Sequence, residues 1–116
     1  MNKNINLKTL LGVPGNTIDR QLSLFAIVSL GVLESLSNGL MSATDSVRYF
    51  FNAENCLFVH QSLRETIAEE VMSHGVQLPD LFEVLPPEKA QREFHRELAT
   101  IRSLCFALLE EERLAA

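Results

Sequence analysis

Cys56 and His60 stand four residues apart, a spacing that puts two side chains on one face of a helix. A thiol and an imidazole so placed could begin a metal site or a nucleophile–base pair. A structural zinc site needs four ligands, usually as two close pairs. His74 and His95 form no second pair with a cysteine. A di-iron bundle needs Glu-x-x-His on two helices. Glu70 and His74 are four apart, and no second copy exists. A reactive thiolate needs electropositive, part-exposed surroundings. Cys56 is instead flanked by Asn55, Leu57 and Phe58, with Glu54 nearby. The pair reads as a buried thiol beside an unrelated histidine. No catalytic residue, metal ligand or cofactor is expected, and there is no Gly-x-Ser-x-Gly elbow.

Phosphate and nucleic-acid chemistry fare no better. Gly12-Val13-Pro14-Gly15-Asn16 leads into a helix N-terminus, a place that attracts anions. It lacks the Gly-Lys-Ser/Thr of a phosphate-binding loop, and no strand precedes it. The segment after Gly75 superficially resembles the second half of a helix-turn-helix. It presents Asp80 and Glu83, which DNA phosphates repel. The net charge is −5, from 10 basic and 15 acidic side chains, which argues against nucleic acid as a partner.

The elements that must carry these residues are helical. Thr17 to Ser37 reads as one helix with Asn16 as its N-cap and Asn38-Gly39 as its stop. A second begins near Thr44, capped by Ser42 or Thr44, and softens at Asn52 to Asn55. A third follows to about Ser73, ended by His74-Gly75, and whether these two are continuous stays open. Leu78-Pro79-Asp80-Leu81-Phe82 suggests a short helix with Pro79 at its first position. Pro86-Pro87 then opens a long C-terminal helix to about Leu114. Its stripe Phe94, Leu98, Ile101, Cys105, Leu108 steps by 4, 3, 4 and 3, a heptad seam. No strand pattern survives. The expected fold is all-α: a compact bundle of four to five helices with a long C-terminal helix and no sheet. Residues 1–15 form a partly flexible N-terminal arm, in which Leu7, Leu10 and Leu11 allow one docked turn. Residues 16–116 form a single domain.

Function is argued from surplus apolar surface. Leu22–Leu33 and Leu104–Leu109 are apolar on all sides, and a helix apolar all round must be buried all round. A chain of 116 residues can bury about one such helix fully. The surplus predicts an interface built from Leu24, Ile27, Val28, Gly31, Leu104 and Leu108, most simply in a two-fold homodimer. Ala26, Ser29 and Gly31 allow a close helix crossing. A membrane is not expected. Glu34, Ser35, Ser37 and Asn38 end the first run short of the ~20 residues that a span needs. A secretory leader fits poorly, because more than twenty residues including Asp19 precede the run and no Ala-x-Ala site follows. Cys56 and Cys105 suit free thiols in a reducing cytoplasm. The expected function is a non-enzymatic helical protein-interaction module, a regulator, adaptor or immunity-type protein that self-associates, with an acidic surface suited to a basic partner. The alternative is a small-ligand-binding or enzymatic helical domain with its pocket at Tyr49, Phe50 and His60.

Overall fold

The computed structural model describes residues 4–115, and the side chains of residues 4–111. The first three residues of the expected arm lie outside that range. Among the described residues the chain is helical without strands. Its elements are α1 (Leu7–Leu11), α2 (Ile18–Ser37), α3 (Ala43–Tyr49), α4 (Ala53–Phe58) continuing into a π-helical turn (Val59–Leu63), α5 (Thr66–Val76), α6 (Leu78–Val84) and α7 (Pro87–Ala115). They form a bundle in which α2, α5 and α6 all pack on α7. α2 and α7 run antiparallel: Ser29 faces Cys105, while Leu36 and Phe94 line one cleft.

The long elements follow their local signals. The predicted seam of α7 is its core face, with Phe94, Leu98, Ile101, Cys105 and Leu108 all buried. Ser42 starts α3 with a reciprocal capping box: its hydroxyl accepts from Asp45 N–H, and the Asp45 carboxylate accepts from Ser42 N–H. α2 is capped one residue later than expected. Thr17 Oγ1 accepts from Arg20 N–H at 3.2 Å. Asn16 is drawn away to bind the arm, donating from its side chain to Leu11 O at 3.0 Å.

The middle of the chain breaks more often than the sequence suggests. Asn52 caps a new helix, its Oδ1 accepting from Asn55 N–H at 3.0 Å, so α3 and α4 are separate. The π turn ends at Arg64, whose backbone is left-handed at φ 51°. A non-glycine residue pays for that conformation, and Glu65 then caps α5. Gly75, expected as a helix stop, lies inside α5, which continues to Val76. Its role is packing: the Phe51 ring rests on it.

The N-terminal segment shares the main core. Leu7 and Leu11 are fully buried, whereas Leu10 faces outward. The buried Asn55 carboxamide holds this segment by two of its three hydrogen bonds, the third going to Phe50 O. Nδ2 donates to Ile5 O at 2.7 Å and Phe50 O at 2.8 Å, and Oδ1 accepts from Leu7 N–H at 3.0 Å. Ile5 N–H donates to Tyr49 O at 2.8 Å.

Candidate interaction surface

α2 is apolar on every side in sequence but is buried on one side only. Leu22, Phe25, Ala26, Ser29, Val32, Leu33 and Leu36 face the core. The opposite side carries Arg20, Leu24, Ile27, Gly31 and Glu34, spaced by 4, 3, 4 and 3. Leu24 is 37% exposed and Ile27 55% exposed. The expectation that this helix is buried all round fails within one chain: α7 is its main packing partner and covers the face that carries Ser29 and Leu36. Beside it Val28 is half-buried and leads into an open groove of about 670 Å³ shared with Ile5, Leu10 and Val13. Leu10 is 48% exposed and Val13 53% exposed. Leu40, Leu57, Val76 and Phe106 are also exposed, as are Phe82 and Val84 on α6, and folded surfaces tolerate scattered apolar side chains. The grouping on α1 and α2 is the more informative feature.

Gly31 sits in the middle of this face. A Cβ built on it meets nothing within 4 Å, so packing within the chain does not require a glycine here. Glycine in a helix interior costs about 1 kcal/mol relative to alanine. Arg20 and Glu34 bracket the stripe. Arg20 forms no ion pair among the described residues, and Glu34 Oε1 accepts only from Asn38 Nδ2, at 2.9 Å. The heptad spacing that reveals both was legible in the sequence, as a continuation of Leu24, Ile27 and Gly31 outward by one step.

The structure sorts the six predicted interface residues. Leu24, Ile27 and Gly31 lie together on the exposed face of α2, with Val28 at its edge. Leu104 is half-buried on α7. Leu108 has no exposed surface and belongs to the bundle core, so it is unavailable to a partner. Leu104–Leu109 is not apolar surplus as a block: Cys105 and Leu108 point inward and Phe106 outward. Ala26 and Ser29 permit a close crossing, but inside the chain against α7.

The three predicted pocket residues are not brought together. Phe50 is core, stacked on Phe25 with ring centroids 6.3 Å apart and edge-on to Phe51 at 5.0 Å. Tyr49 is half-buried beside the N-terminal segment. His60 instead lines a cleft of about 370 Å³ with Cys56, Val59, Glu69, Met72 and Val76. Cys56 and His60 do share this cleft, as their spacing suggests. Sequence reasoning missed Glu69, which pairs through Oε1 with His60 Nδ1. The chain reversal at Arg64 makes that contact, and no local pattern announces it. The pairing leaves His60 Nε2 free to donate or accept a hydrogen bond. Burial pushes the Cys56 thiol up, so it stays protonated near neutral pH and is a poor nucleophile. Among the described residues, no three His, Cys, Asp or Glu side chains are placed to hold a metal ion, and no helix is long and apolar enough to cross a membrane.

Comparison with known proteins adds no family: no family model, curated protein or solved structure matches this chain.

Proposed function

We propose that this chain is a non-enzymatic protein-interaction module that works through the outer face of α2 and the adjoining groove at α1. The observation that carries the reading is the exposure of Leu24 and Ile27 beside Leu10 and Val13. Much of the outer face of α7, by contrast, is polar, with Arg92, His95, Arg96, Thr100 and Ser103 exposed. Withdrawing apolar surface from water yields roughly 25 cal/mol per Å², so a partner on this face gains what the isolated chain forgoes. A regulator, adaptor or immunity-type role fits such a surface. The net charge of −5 favours a basic surface on any heterologous partner. Free thiols at Cys56 and Cys105 suit a reducing compartment such as the cytoplasm.

The test is site-specific photo-crosslinking in native cells. A benzophenone side chain replaces Ile27 in one variant and Thr100, on the polar face of α7, in another. Protein adducts from position 27 and not from position 100 are expected. Equal yields from both positions, or none from position 27, would remove the reading.

A second reading, a small-ligand site, draws on the His60–Glu69 cleft, whose volume of about 370 Å³ lies at the small end for ligand pockets. It predicts a thermal shift with some member of a metabolite panel that His60→Ala abolishes. A panel without any shift would count against it.

A further inference from the structure

Accepting the α2 face as an interaction surface, we infer that its occupant is a second copy of this chain. The two α2 helices cross antiparallel about a two-fold axis, with Arg20 of each copy beside Glu34 of the other. The inference rests on the order of side chains along the exposed stripe. Arg20, Leu24, Ile27, Gly31 and Glu34 recur at heptad spacing, the pattern by which one helix seats its side chains in another. The stripe is basic at its N-terminal end and acidic at its C-terminal end, and each charge lies seven residues from Ile27.

A closed two-fold pairing of a helix with itself can be parallel in register or antiparallel. The parallel arrangement sets Arg20 on Arg20 and Glu34 on Glu34. The antiparallel arrangement sets each arginine beside a glutamate. It also sets Ile27 against Ile27 at the axis and carries Leu24 of one copy toward Gly31 of the other. The open space over Gly31, where an added Cβ meets nothing within 4 Å, is a hole that a branched side chain can fill. The glycine that packing within the chain leaves unexplained thereby acquires a use.

Size sets a further condition. A stable dimer buries about 800 Å² per partner, more than one helical stripe supplies. The groove between α1 and α2, with Leu10 and Val13 exposed at its rim, adjoins the stripe through Val28 and extends the contact. The Arg20–Glu34 pairs lie at the polar rim, where charges set register and orientation more than affinity.

The experiment is a charge swap read by light scattering and sedimentation equilibrium, without detergent. The wild-type chain is expected at twice 13.0 kDa. Ile27→Asp is expected at 13.0 kDa, with its helical circular dichroism intact because Ile27 is exposed. Arg20→Glu and Glu34→Arg should each weaken the dimer by about tenfold, since each turns two attractive contacts into repulsive ones. The double variant Arg20→Glu/Glu34→Arg should return to within about threefold of wild type. Single swaps without effect, or a double swap that fails to rescue, overturn the antiparallel pairing and leave the face itself in place. A wild-type monomer up to high concentration overturns self-association, while crosslinks from position 27 to another protein would preserve the interaction reading. A wild-type dimer that both Ile27→Asp and Leu24→Asp leave intact overturns the two together.

Discussion

The ring of Phe51 lies against Gly75 so closely that a Cβ at position 75 would come within 2.2 Å of Phe51 Cδ1. Phe51 is 1% exposed and also packs edge-on against Phe50, so the ring has little room to retreat. The contact docks α5 on the segment between α3 and α4. It therefore helps place the π turn and the cleft that His60 lines.

Gly75→Ala should accordingly destabilise the fold by about 2–3 kcal/mol, although alanine is the better helix former. Urea unfolding measures it. Adding Phe51→Leu should recover part of the loss, giving a favourable coupling in a double-mutant cycle. A Gly75→Ala variant as stable as wild type would mean that the ring moves freely.

Asn55 is the fastening of the N-terminal segment. Asn55→Ala leaves Ile5 O, Phe50 O and Leu7 N–H without the partners they now have. A loss of about 2–4 kcal/mol is expected, with hydrogen exchange at the Leu7 amide accelerating toward the rate of an open chain. Unchanged protection at Leu7 would show that packing of Leu7 and Leu11 holds the segment without the amide.

Gly31→Ala separates folding from association. In the Ile27→Asp background, expected to be monomeric, it should raise stability by about 1 kcal/mol, because nothing crowds the new methyl. In the wild-type background it should weaken the dimer, since the methyl occupies the hole. Stabilisation of both states would contradict a close crossing at Gly31.

Cys105 carries a pH signature. Burial pushes its thiol from 9.0 up to about 11, against a smaller opposing pull from the Ser29 hydroxyl. That hydroxyl is buried without a hydrogen bond of ordinary geometry. A raised acid pKa means that the folded chain keeps the proton longer than the unfolded one. Its stability contribution is complete below pH 9 and is lost as pH rises toward 11. The difference in unfolding free energy between wild type and Cys105→Val should be constant from pH 7 to 8.5. It should then shift against wild type by about 2 kcal/mol by pH 11. A flat difference would place the thiol in contact with solvent. Thiol reagents at neutral pH should label Cys56 well before Cys105.

Much of the fold is legible locally. The seam Phe94, Leu98, Ile101, Cys105 and Leu108 identifies the core face of α7, because only one side of that helix is apolar until its last turns. Ser42 followed by Asp45 marks the start of α3, because a capping box is satisfied within four residues. The extent of α2 and its stop at Asn38 are equally local properties. The surplus of apolar residues on α2 was equally legible, and the exposure of Leu24 and Ile27 is what remains of it once the core is filled. The charges that bracket it were present in the same heptad spacing.

What only the tertiary structure decided is direction. A helix apolar on all sides has no preferred inward face, so composition cannot say whether Leu24 or Phe25 meets solvent. The face on which α7 packs decides it. The same holds for Gly75, whose neighbour Phe51 lies on another element, and for Glu69, which reaches His60 only because the backbone reverses at Arg64. Periodicity and capping are written within a few residues of chain. Contacts between elements depend on how several helices divide one core, and no single stretch of sequence contains that division.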